Sequence, residues 1–116
     1  MRDLAVQAAG MLAILAALIH GALAEWRVFP NAQIAPRGAR RLLRVVWQAS
    51  TVDWVAIGVL LVAAPGLGSD AARRAIIALA VVVYGYATIG NAVATRGRHF
   101  GWCLMLAIVV LALLGW

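Results

Sequence analysis

Charged residues are scarce in this sequence, and lysine is absent. Only 12% of the residues are charged, whereas 66% are apolar. Soluble globular domains carry about 25% charged residues, so this composition excludes an ordinary soluble fold. The single cysteine, Cys103, rules out an internal disulfide and leaves the redox compartment open. The chain, residues 1–116, is therefore expected to form one domain within a lipid bilayer.

Long apolar runs are abundant, and four of them approach the roughly 20 residues that a helix needs to cross the hydrocarbon. They predict an all-α, polytopic membrane protein, a bundle of four transmembrane helices with short loops. The predicted spans are about 4–24, 44–64, 73–94 and 99–116. Glu25-Trp26-Arg27 follows the first run where a signal peptide would have small residues for cleavage. The first run is therefore expected to be a true span.

The arginines are distributed unequally between the predicted loops. On one face the sequence places Arg27, Arg37, Arg40, Arg41, Arg44, Arg96 and Arg98, and on the other Arg2, Arg73 and Arg74. By the positive-inside rule the richer face is cytoplasmic. This predicts a multi-pass protein of the bacterial inner membrane with both termini in the periplasm. The net charge of +6 then reflects topology, and no nucleic-acid partner is expected.

The predicted loop Arg27–Arg44 is rich in both arginine and proline. Its arginines are expected to contact anionic lipid headgroups. Proline cannot donate a backbone hydrogen bond, so Pro30 and Pro36 are expected to bar a continuous helix through this loop.

Small residues of the first span recur every four positions and therefore share one helix face. They are Ala5, Ala9, Ala13, Ala17 and Gly21. Small side chains let helices approach closely in lipid, so this alanine face is expected to pack inward and the opposite leucine face to meet lipid. His20 lies on the alanine face and should point into the bundle. It serves there either as a hydrogen-bonding residue between helices or as a ligand or proton carrier.

Asp53 lies near the middle of the second span, where an acidic side chain is costly and therefore a candidate functional residue. Ala49 and Ala56 share its side of the helix, so Asp53 is expected to face protein. It is either a neutral or paired carboxyl that links helices, or a functional acid. Trp47 and Gln48 project in other directions, which predicts that the second span is the centre of the bundle.

The third span carries Tyr84, Thr88, Asn91 and Thr95 at spacings of four, three and four residues. These positions share one face of a helix and predict a continuous hydrogen-bonding stripe from mid-membrane to the cytoplasmic surface. A short turn follows, so His99 should lie across from Asn91. Such a line of polar groups favours a hydrated cavity.

The inward polar residues together define the predicted site. The candidates for carrying protons are Asp53, His20, His99 and Glu25. The predicted cavity lining is Gln48, Tyr84, Thr88, Asn91, Trp47 and Trp54. Because no catalytic set and no metal-ligand spacing is recognisable, neither catalytic residues nor a metal is predicted. Gly10 belongs to no recognisable motif.

Two motifs occur in the first half of the chain. They read His20-x4-Glu25-x-Arg27 and Arg44-x2-Trp47-x2-Ser50-x3-Trp54. In these motifs the sequence resembles small, uncharacterised four-span bacterial inner-membrane proteins. That resemblance implies a fold and no activity. Small multidrug transporters look different because their essential acid lies in span 1, where this chain has His20 and no carboxylate. The polar and aromatic signatures of fluoride channels are absent.

Three functions are compatible with these patterns. The leading one is a non-enzymatic membrane protein without a cofactor, a proton-linked transporter or channel for a small solute, with Asp53 and His20 titrating. The second is an accessory or scaffold subunit of a larger membrane complex. The third is a haem b protein with His20 and His99 as axial ligands. A homo-oligomer is expected because four short helices enclose little volume.

Overall fold

The structure, a computed structural model, describes all residues from Met1 to Trp116 and contains helices and no strands. The long helices are α1 (Arg2–Leu23), α3 (Arg37–Ala63), α4 (Asp70–Ala94) and α5 (Gly101–Leu114), and α2 (Phe29–Asn31) is a single turn. The all-helical class predicted from the sequence is confirmed.

Three helical segments are long and apolar enough to cross a membrane. They are Arg2–Asn31, Arg37–Leu67 and Asp70–Ala94. The fourth helix, α5, has 14 residues and rises only about 21 Å, against a hydrocarbon thickness of about 30 Å. It is shorter than the predicted span 99–116 because the helix begins only at Gly101, after the turn that contains Arg96 and Gly97, and ends before Gly115.

The segment between the first two long helices is interrupted as expected, since the helix ends at Asn31 and α3 begins at Arg37, although Pro30 itself lies within a helical turn. After α1 the chain widens into a π-helical turn, Ala24–Val28, where the Phe29 N–H bonds to the Ala24 carbonyl. The wider turn accommodates Pro30, so the chain stays helical until Ala32, which is extended. Pro36 precedes the first residue of α3. Most arginines of the predicted loop therefore lie on the first turns of α3.

Helix α1 is the central helix, since α3 packs on one side of it and α5 on another. Its alanine face is buried as predicted, with Ala9, Ala13 and Ala17 fully enclosed. Its leucine face is open, and Leu18 is 58% exposed. The prediction that the second span is central is wrong. Small side chains along α1 let two helices approach it closely, whereas α3 contacts α4 only sparsely.

Two glycines mark the closest approach of α1 and α3. A Cβ atom at Gly10 would lie 2.6 Å from the carbonyl oxygen of Gly58, and one at Gly58 would lie 2.9 Å from the carbonyl oxygen of Gly10. The backbones are in direct contact there, and neither position has room for a side chain. Gly10 therefore has a packing role that its isolated place in the sequence did not indicate.

Polar contacts tie the helices together at both ends of the molecule. At one end Arg73 pairs with Asp3 and donates from Nε to the Gly115 carbonyl at 2.9 Å. The first turn of α4 thus holds the beginning and the end of the chain together. At the other end Arg44 forms a two-pronged ion pair with Glu25. Both termini consequently lie at the end opposite the Glu25–Arg44 pair.

Candidate functional site

A cavity of about 450 Å³ opens between α1, α3, α4 and α5 near the Glu25–Arg44 end. This volume falls within the range of about 300–1,000 Å³ that is typical of small-molecule sites. The lining residues that can form hydrogen bonds are His20, Trp47, Trp54, Tyr86, Asn91, Thr95 and His99. The other lining residues are apolar or glycine. The cavity is therefore mostly apolar, and its lining holds no arginine and no carboxylate.

The imidazole of His20 is held between two indoles of α3. Its ring centroid lies 4.7 Å from that of Trp47 and 4.7 Å from that of Trp54, and the planes are inclined by 12° and 30°. The two tryptophans are two helical turns apart and therefore share one side of α3. Trp47 also donates from Nε1 to the His20 carbonyl at 3.2 Å. These contacts fix the ring orientation of His20.

Ser50 determines which nitrogen of His20 carries the proton. The Ser50 hydroxyl donates its single hydrogen to the Trp47 carbonyl at 2.7 Å. Its oxygen is therefore an acceptor for Nε2–H of His20, which lies 3.3 Å away. The neutral imidazole then has Nδ1 free as an acceptor. His20 can accept a hydrogen bond or a proton at Nδ1 without losing its contact with Ser50.

Helix α4 and the turn before α5 contribute two further polar groups to the cavity, Asn91 and His99. His99 accepts the Gly101 N–H at Nδ1, at 3.0 Å, which leaves its Nε2 as an N–H donor. The side-chain oxygen of Asn91 is buried and has no hydrogen-bond partner. A buried acceptor without a partner costs about 1–3 kcal/mol, and a ligand that donates a hydrogen bond to Asn91 would remove this cost once the neighbouring side chains move to uncover the oxygen.

The predicted polar stripe on α4 is divided between different partners. The Thr88 and Thr95 hydroxyls donate to carbonyls one turn back in their own helix, those of Tyr84 and Asn91, each at 2.7 Å. Such local bonds are common for threonine in helices. Tyr84 is fully buried and donates across to the Trp54 carbonyl at 3.2 Å. A continuous stripe is therefore not formed, and neither Tyr84 nor Thr88 lines the cavity.

Glu25 and Gln48 lie beside the cavity and do not line it. Gln48 donates from Nε2 to Glu25 Oε1 at 2.8 Å and to the Gly21 carbonyl at 3.3 Å. Glu25 is already paired with Arg44. The carboxylate thus joins α1 to α3 through two partners and is already engaged in structural contacts.

Asp53 is exposed on the outer surface of α3, which corrects the expectation that it faces protein within the chain. The two ion pairs of the chain involve the acidic residues Glu25 and Asp3, and neither includes Asp53. Its small neighbours Ala49 and Ala56 are exposed as well. The structure therefore separates Asp53 from His20, which lies on the covered side of α3 between Trp47 and Trp54.

Two residues of the site were missed in the sequence. Ser50 belongs to a motif noted there, but only its contact with His20 reveals its role. Tyr86 lines the cavity although most of its side chain is exposed, and its position two residues from Tyr84 puts it outside the predicted stripe. No group of three or more His, Cys, Asp or Glu side chains is placed to hold a metal ion.

Comparison with known proteins gives no match to this chain, whether with a protein-family model, a curated protein or a solved structure. The site combines a mostly apolar cavity with a fixed imidazole, a second histidine and an unpartnered amide oxygen.

Proposed function

We propose that this protein is a small integral membrane protein that binds a neutral, largely apolar solute carrying one hydrogen-bond donor. The unpartnered side-chain oxygen of Asn91 carries this proposal. An apolar cavity with a few convergent polar groups is the usual form of a small-molecule site. The absence of arginine and carboxylate from the lining favours a neutral solute over an ion.

The polar groups of the cavity define what the solute must offer. Asn91 Oδ1 and His20 Nδ1 are acceptors, and His99 Nε2–H is a donor. The indoles of Trp47 and Trp54 provide flat apolar walls that suit an aromatic ring. A phenol or an indole combines these properties, because each is a flat apolar ring with a single strong donor. Protonation of His20 would change the acceptor at Nδ1 into a donor and so couple binding to pH.

Binding of a solute in a cavity open at one end of the bundle is better supported than passage of the solute through a single chain. Toward the other end the space between the helices is filled by fully buried residues, among them Ala13, Ile77, Tyr84 and Ile108. Asp53, the expected second titrating group, is on the outer surface. A proton-linked transporter would therefore need a rearrangement of the helices or a path at an interface with another subunit.

Binding of 1-naphthol to the protein in lipid nanodiscs tests this proposal. Naphthalene is the matched ligand control, since it has the same rings and no donor. We expect binding of 1-naphthol, measured by equilibrium dialysis against empty nanodiscs, to saturate, and naphthalene to bind about tenfold more weakly, as loss of a buried hydrogen bond predicts.

Variants of the protein provide the second arm of this test. Asn91→Leu removes the acceptor and should abolish the preference for 1-naphthol, and Ala87→Phe should fill the cavity and reduce binding of both compounds. Leu113→Phe, on the exposed surface of α5, is the matched control and should change neither. The proposal would be contradicted if the parent bound 1-naphthol and naphthalene equally well, or if Asn91→Leu kept the parent's preference for 1-naphthol.

We infer a four-span topology with the cavity opening toward the cytoplasm. The end that holds the cavity also holds the seven arginines Arg27, Arg37, Arg40, Arg41, Arg44, Arg96 and Arg98, which favours the cytoplasmic side and contact with anionic headgroups. Both termini would then be periplasmic. Reporter fusions after Trp116 should be active as periplasmic enzymes, and fusions near Ala35 as cytoplasmic ones. The reverse pattern would place the cavity at the outer surface.

The haem alternative requires a change in the contacts of His20. Its Nε2 faces Ser50, and its two ring faces are covered by Trp47 and Trp54. Only Nδ1 is then free to act as an axial ligand, and the two indoles beside the imidazole would have to move to admit the haem macrocycle. A Soret band in the purified protein, lost in both His20→Ala and His99→Ala, would revive this alternative.

A further inference from the structure

The outward face of α3 follows a seven-residue repeat. From Val45 to Ala63 the exposed residues occupy only three of the seven positions in the repeat. The residues at the remaining four positions are all buried or half-buried. The first position is held by Ala49, Ala56 and Ala63, the second by Val45, Val52 and Val59, and the third by Val46, Asp53 and Leu60. A repeat of seven keeps one stripe of a helix directed at a partner helix.

The composition of this stripe differs from that of the lipid-facing side of α1. The outward face of α1 carries mainly large side chains, with Leu4, Met11 and Leu15 each more than half exposed and Ala8 the one exposed alanine. The α3 stripe instead has alanine at every first position and valine at every second. Small side chains at a regular spacing are what close contact between membrane helices requires.

Asp53 adds an independent reason for a partner. Along the axis of α3 it lies about 12 Å from Val45 and about 16 Å from Ala64, near the middle of the apolar segment. A short aspartate side chain at this depth cannot reach the headgroups, and its exposure to hydrocarbon is costly. A polar group at the same depth on another helix would remove that cost.

We propose that α3 pairs with α3 of a second copy of this chain, parallel and in register. A two-fold axis along the membrane normal brings each residue of the stripe against its own copy. Asp53 then meets Asp53 of the partner subunit, and the two carboxyl groups hydrogen-bond when at least one is protonated. Ala49 and Ala56, one turn to either side, allow the backbones to approach. The repeat is thus complementary to itself.

A parallel arrangement also agrees with the distribution of charge. An antiparallel pair would place the two arginine-rich ends on opposite sides of the membrane, against the positive-inside rule. A different membrane protein would need its own polar group at the depth of Asp53. A second copy of this chain supplies that polar group automatically, because its own Asp53 lies at the same depth.

Cysteine cross-linking in proteoliposomes tests the surface. In a Cys103→Ala background, Ala56→Cys on α3 and Leu15→Cys on α1 place exposed thiols on two different outward faces. With copper phenanthroline as oxidant, we expect a disulfide-linked dimer from Ala56→Cys and only trace dimer from Leu15→Cys. Equal cross-linking of the two variants would overturn the proposed face.

Energy transfer between donor-labelled and acceptor-labelled copies, measured at increasing lipid dilution, tests the role of Asp53. Asp53→Asn retains hydrogen bonding and should associate within about twofold of the parent, whereas Asp53→Leu should weaken association by about tenfold. Ala56→Leu should abolish it. Unchanged tryptophan emission would show that each variant keeps the covered side of α3 intact.

Two results would overturn the pairing. One is an Asp53→Leu variant that associates as strongly as the parent. The other is a parent chain that does not associate with itself at any lipid ratio, even if it associates with a different membrane protein when one is added. In that case another protein, and not a second copy, would cover Asp53.

Discussion

The outward faces of α1 and α3 are both open in the single chain, yet their chemistry differs. On α1 the open side chains beyond the first turn are mostly leucine, isoleucine and methionine, which suit hydrocarbon, with Gln7 and Ala8 among them. On α3 they are alanine and valine in a seven-residue repeat, with an acid in the middle. Exposure alone therefore does not identify a lipid-facing surface. The size and polarity of the exposed side chains distinguish contact with lipid from contact with another helix.

The two helices also share a feature, since each has a face of small residues. The small face of α1 is covered by α3 and α5, whereas that of α3 is open. Substitutions on these faces should therefore differ in their effect on the stability of a single chain.

The largest effect is expected at the glycine contact between α1 and α3. In Gly10→Ala the new methyl group would meet backbone atoms of Gly58 and Val62 at 2.6 and 2.8 Å, so the helices must separate. We expect a loss of about 2–3 kcal/mol in the free energy of unfolding, measured by equilibrium unfolding in mixed micelles. Gly85→Ala is the control, because a Cβ atom there meets nothing within 4 Å. A stable Gly10→Ala protein would mean that α1 and α3 are not in backbone contact.

A smaller loss of stability is expected from replacing a covered alanine of α1 with leucine, in comparison with an exposed alanine of α3. Ala13 is fully buried, so Ala13→Leu should destabilise the chain by about 1–2 kcal/mol through overpacking. Ala56→Leu makes the same change on the exposed stripe and should leave the stability of the monomer in detergent unchanged. Equal losses in thermal stability would remove the distinction between the two small faces.

The next largest loss of stability is expected from removing the Tyr84 hydroxyl, which has its hydrogen-bond partner within the chain. Tyr84→Phe removes the hydroxyl that donates to the Trp54 carbonyl at 3.2 Å and should cost about 1 kcal/mol in unfolding free energy. Thr88→Val is the control, since the Thr88 hydroxyl bonds only within its own helix at 2.7 Å. If Thr88→Val lowered the unfolding free energy as much as Tyr84→Phe, the hydrogen bond between α3 and α4 would contribute no more to stability than a bond within one helix.

The smallest effect is expected on the leucine face of α1. Leu15 is half exposed, and in a bilayer lipid chains would fill the space that its side chain vacates in Leu15→Ala. We expect a change below about 0.5 kcal/mol in unfolding free energy, within the range usual for surface substitutions. A destabilisation comparable to that of Ala13→Leu would identify the leucine face as a second protein interface.

Periodicity within one helix determined much of this protein from the sequence alone. The alanine face of α1 follows from a spacing of four residues, because 100° per residue aligns those side chains whatever the rest of the chain does. The helical class and the approximate positions of the apolar segments follow equally directly, because apolar runs of about 20 residues are typical of helices. The inward direction of His20 came from the same argument.

Only the tertiary structure decided what each polar group meets. His20 lies between two indoles because α3 crosses α1 with Trp47 and Trp54 directed at it, and a crossing is set by packing between helices. Asp53 has small neighbours just as His20 does, yet it faces outward. One helix has several faces with small residues, and its neighbours determine which one is covered. The angle between two side chains on a helix follows from their spacing in the sequence, whereas the rotation of that helix in the bundle depends on all its packing interactions together.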